Sequence, residues 1–446
     1  MFFHLPKPKT ALKSLLLLFA LTTVTGAFAQ DDLLEIEQND IPGLAGMYEI
    51  PGSPPKLMVM IKNPERAGVE FSASALSTQN FDIDLPTPTE VVEIFNDAPG
   101  PEFGDGYPKS SDGTLTSQSA TEAVQYRFVN YSITELYTWR DIIMDELAKE
   151  FTWVSGAGIV PVSNRLVLVV DTREADFNIV REEVETFLED RNIPREAVRL
   201  EEGYEEEEIR PGGGSSGSNS SGSNSSRKNL DADVRPLVAG LEVGFPGGGC
   251  TLGWFARSGR DYGFVTANHC LRDSTGSSIR VNQNASGSRV ATVYERYREE
   301  NEAPYDVVFA EMSSSNFTEE VAWPATGGTL DYSNTKPLLS VTSERYLING
   351  VLYITGQNSG RQLSSGVAGD KFLDFRTSNG LIYLCTKRHI TQGGDSGGPW
   401  VLVRNGKYYL AGIHRGRLRL KSDGVNRSCF TTANDAQRHL NVNFLF

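Results

Sequence analysis

The chain has 446 residues, 39% of them hydrophobic, and a formal net charge of -15, which is enough length and apolar content for two folded units. The charge is unevenly spread: residues 30–210 carry 37 acidic against 14 basic side chains, whereas 211–446 carry 20 against 25. So acidic a balance repels phosphate over most of the chain and excludes a nucleic-acid partner, while complementary fields predict that the acidic half docks in cis on the basic one.

Lys7, Lys9 and Lys13 precede an apolar run from Leu15 to Ala20 and the small-residue pattern Ala27-Phe28-Ala29. This reads as a secretory signal peptide over residues 1–29, cut after Ala29. The uncharged stretch from Ser14 to Ala29 falls short of the ~18 residues that span a bilayer, so no membrane partner is expected and the mature protein is placed outside the cell or in the periplasm. Export permits lasting disulfides. The four cysteines, Cys250, Cys270, Cys385 and Cys429, allow three pairings, and spacing alone does not choose among them.

The stretch from about Asp82 to Gly113 is rich in Pro, Gly, Asp and Ser and is expected to be irregular. A helix is expected over Thr134 to Phe151 and a β-branched strand over Arg165 to Val170. From Glu174 to Asp190 the residues Phe177, Val180, Val184 and Phe187 recur at three- and four-residue intervals, the pattern of an amphipathic helix. Ile193-Pro194 ends it, and Ala197 to Leu200 is a further strand, which makes 30–210 a small α/β region. The run Glu201-Glu202 and Glu205 to Glu208 is expected to stay solvated and open to proteases. Residues 211–228 then hold PGGGSSGSNSSGSNSS, a flexible linker and domain boundary.

Beyond the linker, residues 229–446 break into short β-type runs separated by Gly, Asn and Ser turns: Gly263 to Thr266, Val290 to Tyr294, Val307 to Ala310, Val351 to Ile354, Leu381 to Leu384, Pro399 to Val403 and Tyr408 to Ile413. Many short strands with little helical periodicity predict an all-β domain. One closing helix is expected over Thr432 to Leu440.

Acyl transfer from a peptide needs a nucleophile, a base, a group that orients the base, and donors for the oxyanion. Gly393-Gly394-Asp395-Ser396-Gly397-Gly398-Pro399 offers the first and last: glycines let the backbone turn sharply around Ser396 and aim the N–H groups of Gly394 and Ser396 at one point. His269, in Val265-Thr266-Ala267-Asn268-His269-Cys270, is the base, at a strand end beside a cysteine. Asp306 is the orienting carboxylate, preferred over Asp261, Asp273 and Asp331 because it opens the apolar run Val307-Val308-Phe309. A serine esterase would more naturally show Gly-x-Ser-x-Gly after a strand, with its histidine following the serine, which is the reverse of the order here.

His269, Asp306 and Ser396, in that order and with those neighbours, resemble the catalytic set of the chymotrypsin family. Over Val234 to Phe446 the likeness is to its streptogrisin and α-lytic protease branch, through Cys250-Thr251-Leu252-Gly253 and the segment from Gly356 to Gly366. The resemblance implies an all-β catalytic domain of two antiparallel six-stranded barrels with the catalytic residues between them, preceded by a small α/β pro-region that assists folding and then inhibits. It implies Cys250–Cys270 and Cys385–Cys429 disulfides, no metal or organic cofactor, protein or peptide substrates, and a monomer after maturation. No Ile-Val-Gly-Gly start lies near the linker, so burial of a new N-terminus is not the expected activation.

Trypsin-like members carry an aspartate six residues before the nucleophile, where this chain has Ile390, so cleavage after Lys or Arg is not expected. Thr391 and His414 fall where glutamyl endopeptidases resembling this branch carry a pocket Thr and His, and an imidazole with a hydroxyl can bind a carboxylate. Arg415, Gly416 and Arg417 line the same segment, with arginines where relatives have Ser and Gly. The expected reading is cleavage after Glu, with self-release at Glu201 to Glu208; apolar specificity and a catalytically silent binding protein are the alternatives.

Overall fold

The computed structural model describes residues 44–446 apart from 51–53, 76–84, 97–102, 104–106, 113, 208–229, 231–232, 247, 273, 284–286, 298–303, 326–331, 333, 344–345, 348–349, 365–372, 387 and 421–425. The expected signal peptide and linker, Asp273 and Asp331 lie outside these residues. Among the described residues, no helix is long and apolar enough to cross a membrane.

The N-terminal part begins with β1 (Leu44–Ile50), β2 (Lys56–Lys62) and β3 (Glu70–Ser72), then helices α1 (Pro88–Asn96) and α2 (Ser117–Ala123) and strand β4 (Val124–Val129). The strands form one sheet in the order β1-β2-β4-β3, with β2 and β4 parallel. Helix α1 corrects the expectation of irregular chain over 82–113. The Thr87 backbone N–H donates to Glu90 Oε2 at 2.8 Å and the Glu90 N–H to Thr87 Oγ1 at 3.3 Å, a capping box, with Pro88 in the first turn, where its missing N–H costs nothing. Phe95 on this helix stacks edge-on at 4.9 Å with Tyr346 of the C-terminal half.

Helix α3 (Ile133–Ile142), capped by Ser132 and Glu135, runs on through a π-helical turn. Strands β5 (Val154–Val160) and β6 (Arg165–Val170), helix α4 (Phe177–Asp190) and strand β7 (Val198–Glu207) follow. The unbroken apolar run of β6 has a cause: it is covered on both faces. Leu166, Leu168 and Val170 belong to a core with α3 and α4, while Val167 and Val169 belong to another with Phe375, Leu381, Tyr383 and Leu418.

The C-terminal half is built almost wholly of strands: β8 (Leu237–Ala239), β9 (Glu242–Phe245), β10 (Gly248–Thr251), β11 (Trp254–Ser258), β12 (Asp261–Thr266), β13 (Ser278–Gln283), β14 (Arg289–Tyr294), β15 (Val308–Met312), β16 (Phe317–Ala322) and β17 (Thr335–Pro337). They continue as β18 (Val351–Gly356), β19 (Gly360–Ser364), β20 (Leu373–Thr377), β21 (Ile382–Cys385), β22 (Pro399–Arg404), β23 (Lys407–Leu420) and β24 (Asn426–Thr432), and helix α5 (Ala433–Leu440) and β25 (Asn443–Phe444) end the chain. This is the all-β architecture read from the sequence. One antiparallel sheet has the order β10-β9-β13-β14-β15-β12-β11-β25; β8, β16 and β17 form a small third sheet.

The other large sheet is shared between the two halves. Its order is β19-β18-β22-β23-β24-β21-β20-β5-β6-β7, and β7 pairs in addition with β23. Strands β20, β21, β24, β23, β7, β6 and β5 therefore close a ring. Its lining includes Val160, Val167 and Val169 from the N-terminal half and Phe375, Tyr383, Leu418 and the Cys385–Cys429 pair from the C-terminal half.

The ring also corrects the expectation of an open acidic run over residues 201–207; Glu208 lies outside the described residues. Residues 198–202 pair parallel with β6 and residues 203–207 pair antiparallel with β23, with Glu207 opposite Gly416 and Gly203 opposite Leu420. Glu201 is buried and pairs with Arg199 at 2.8 Å. Backbone pairing, first to β6 and then to β23, holds this run in a strand despite its charge.

Contact between β5 and β20 depends on a missing side chain. A Cβ at Gly156 would stand 2.5 Å from the Arg376 carbonyl oxygen and 2.6 Å from the Phe375 ring. Gly156→Val is expected to force β5 off β20 and to lower the stability of the full chain by about 2–3 kcal/mol in urea unfolding, as overpacking of a fitted core does.

Candidate active site

His269 lies in a 3₁₀ turn, Asn268–Leu271, immediately after β12. The next residue, Cys270, is bonded to Cys250 on β10, so the turn is covalently tied to a neighbouring strand. Asp306 lies two residues before β15, and the β12–β15 ladder sets Thr266 opposite Val308. That register brings the carboxylate beside the histidine turn. The His269 backbone N–H donates to Asp306 Oδ1 at 2.8 Å, and His269 Nδ1 lies 2.5 Å from Asp306 Oδ2.

An ionised carboxylate can only accept, so the proton of that second contact sits on Nδ1 and leaves Nε2 as the acceptor. Nε2 is 2.8 Å from Ser396 Oγ, and the serine hydroxyl donates to it. All three side chains are buried. Burial pushes the Asp306 carboxyl up, but the charges of His269 and Arg415 and the hydrogen bonds from His269 outweigh it and hold the group below the usual aspartate range.

Two glycines at positive φ shape the loop around Ser396, Gly394 at +100° and Gly397 at +84°. A Cβ at Gly397 would meet Thr266 Oγ1 at 2.0 Å and the Thr251 carbonyl oxygen at 2.4 Å. Thr251 ties the loop to the first sheet: its N–H donates to the Ser396 carbonyl at 2.7 Å and its hydroxyl to the Gly394 carbonyl at 2.9 Å. The Gly393 carbonyl accepts from Asn358 Nδ2 and the Asp395 carbonyl from the Gly398 N–H. In a planar trans peptide the N–H points opposite to the carbonyl it adjoins. The Gly394 and Ser396 N–H groups are thus turned away from Asn358 and Gly398 respectively.

The carboxylate of Asp395 is the loop's anchor. Oδ1 accepts the N–H groups of Asn358 at 2.9 Å and Ser359 at 3.0 Å, and Oδ2 accepts that of Gln392 at 2.8 Å. Burial pushes this carboxyl up, against the pull of those hydrogen bonds.

On the other side of Ser396, Thr391 Oγ1 is 2.8 Å from Ser428 Oγ, which also accepts the Ile390 N–H at 3.1 Å. Cys385–Cys429 lies next to Ser428. His414 is buried, exchanges backbone hydrogen bonds with Gly397 and Gly398 at 2.8 Å, and accepts from Trp400 Nε1 at Nδ1 over 3.3 Å. Gly416 lies on β23 between Cys429 and Glu207. Arg415 is turned inward: its Nη1 is 3.0 Å from Asp306 Oδ2 and its side chain is 2% exposed. Thr251, Asn358, Trp400 and Ser428 were not singled out from the sequence. Thr251 and Asn358 carried a signal, since they fall in Cys250-Thr251-Leu252-Gly253 and in the segment from Gly356 to Gly366; Trp400 and Ser428 are brought in by pairings between distant strands.

No family model matches the chain and no curated protein matches it. Solved structures that resemble it include protease A of Thermobifida fusca (19% identity, 47% of this chain and 98% of that one, TM-score 0.32). A Nocardiopsis protease (16% identity, 47% and 99%, TM-score 0.34) is another. A third is a glutamic-acid-specific serine protease described as using a histidine triad in substrate binding (16% identity, 47% and 100%, TM-score 0.34).

Asp395→Ala leaves three backbone donors without their acceptor, at about 1–3 kcal/mol for each buried group. A loss of at least about 3 kcal/mol is expected in urea unfolding. Asp306, with its carboxyl held low, adds stability that is present above the ordinary aspartate range and lost as pH falls through its folded value. Asp306→Asn is expected to flatten the stability–pH curve below about pH 4, read by urea midpoints at a series of pH values.

Proposed function

We propose that the chain is the precursor of an exported serine endopeptidase of the chymotrypsin type. The observation that carries this is the buried series Asp306 Oδ2, His269 Nδ1, His269 Nε2 and Ser396 Oγ, with contacts of 2.5 Å and 2.8 Å. Ser396 Oγ attacks the scissile carbonyl as His269 Nε2 takes its proton, and the Gly394 and Ser396 N–H groups receive the oxyanion. His269 then gives the proton to the leaving amine. Water repeats the sequence on the acyl-enzyme, and Asp306 holds the imidazole in the Nδ1–H tautomer throughout. A catalytically silent relative would need none of these contacts to be in register.

Residues 30–210 act in this reading as a pro-region, held in cis. Its support is the shared ring, the ion pairs from Arg376 to Asp141 and Asp145 at 3.0 and 2.8 Å, and the run of β7 alongside β23 up to Gly416. Arg415, the next residue of β23 toward the nucleophile, has its carbonyl 3.4 Å from Ser396 Oγ. The bond that follows in sequence after this strand, Glu208–Ile209, is the first substrate we propose. Glutamate preference is supported by the paired hydroxyls of Thr391 and Ser428 and by the buried imidazole of His414 on the neighbouring strand β23. Secretion rests on the leader over residues 1–29 and on the two disulfides.

Ser396→Ala is expected to lower proteolysis by at least about 10⁴-fold, to abolish labelling by a fluorophosphonate and to leave the chain uncut. N-terminal sequencing of the active form is expected to begin at Ile209, and a peptide panel to favour Glu before the cut. A preference for Phe or Leu would replace the glutamyl pocket with an apolar one, and proteolysis by the Ser396→Ala protein would remove the protease reading altogether.

A further inference from the structure

Strand β23 carries an irregularity at one residue. Against β24, His414 stands opposite Phe430 and Gly416 opposite Cys429, so Arg415 is the extra residue of a bulge. In a regular strand neighbouring side chains point to opposite faces, and a bulge re-aims one of them. His414 and Arg415 are consecutive and both buried. The guanidinium ends 3.0 Å from Asp306 Oδ2, the same oxygen that accepts from His269 Nδ1, and lies 5.5 Å from the centre of the Tyr383 ring on β21.

We propose that Arg415 is a positioning residue for the catalytic pair, a permanent buried cation that shares Asp306 with the imidazole and keeps His269 available as a base in more acidic media. The inference rests on the protease reading above. A guanidinium does not give up its proton in a protein. With His269 neutral, Asp306 and Arg415 balance each other; when His269 takes a proton the buried cluster gains an uncompensated positive charge. Without Arg415, the same protonation would neutralise the cluster instead. The arginine therefore opposes the imidazolium in the resting enzyme.

Other groups stand near. Tyr383 lies beneath the guanidinium, Asp395 and His414 interact behind the nucleophile loop, and His439 of α5 packs edge-on against Tyr305 at 5.5 Å. All of them are common to a protein with and without the arginine, so a difference measurement isolates its charge.

The test uses the full chain with Ser396→Ala, which cannot cut itself, and follows the His269 Nδ1 proton by NMR against pH. Adding Arg415→Met is expected to raise the imidazole midpoint by about one unit, the lower end of what a charge this close does. Arg415→Lys, which keeps the cation, is expected to restore most of the original midpoint. A midpoint that does not move in Arg415→Met overturns the proposal. Should that variant fail to fold, Arg415→Gln, which removes the charge but keeps a polar side chain, reads the same midpoint and decides in the same way. Failure of Ser396 to react with a fluorophosphonate in the unaltered protein would count against the protease reading alone, since the titration needs no turnover.

Discussion

A carboxylate taken wholly out of water must be matched inside the protein, and Asp306 is matched twice, by an imidazole and by a guanidinium on the same oxygen. Each partner comes from a different part of the chain. The histidine turn is held by the β12–β15 ladder and the Cys250–Cys270 bond, and the arginine by a bulge in the long strand β23. Removing the arginine would leave the buried carboxylate uncompensated, which costs several kcal/mol. The site is therefore as well determined as the packing of the two sheets that meet at it.

The loop around Ser396 depends on the same economy of buried polar groups. Its carbonyls are taken up by Thr251 and Asn358, and its one acidic side chain by three backbone N–H groups. No long-range ion pair is needed to hold Asp395, because the turn at 357–359 presents its donors to it. The His269–Ser396 contact and the shape of the loop are thus held by separate carboxylates, one kept low by charges and one pushed up by burial.

Local pattern made much of this legible. Strand β6 was readable to the residue because the five side chains after Arg165 are apolar on both faces, and α4 because Val180 and Val184 recur at helical spacing. Ser396, His269 and Asp306 were legible because each sits in a motif that restricts the backbone. Helix α1 was missed although Thr87-Pro88-Thr89-Glu90 spells a capping box, since the surrounding Pro and Gly masked a short helix. The acidic strand β7 was misread because charge was weighed without its two neighbouring strands. Arg415 was assigned to the substrate side, and nothing local could have turned it, because a bulge is defined by the partner strand and not by the residue that bulges.

The ring shared by β5, β6 and β7 with β20, β21, β24 and β23 has no open side. A cut in the chain after β7 would not undo it, because every pairing in the ring would remain. Parting the two halves would, however, create edges: β20 and β23 would each present a row of unsatisfied backbone groups, with Phe375, Leu418 and Leu420 laid bare beside them. Cleavage and dissociation are then physically separate events, and the second asks the C-terminal half either to refold its own margin or to meet solvent with a surface prone to capture a stray strand.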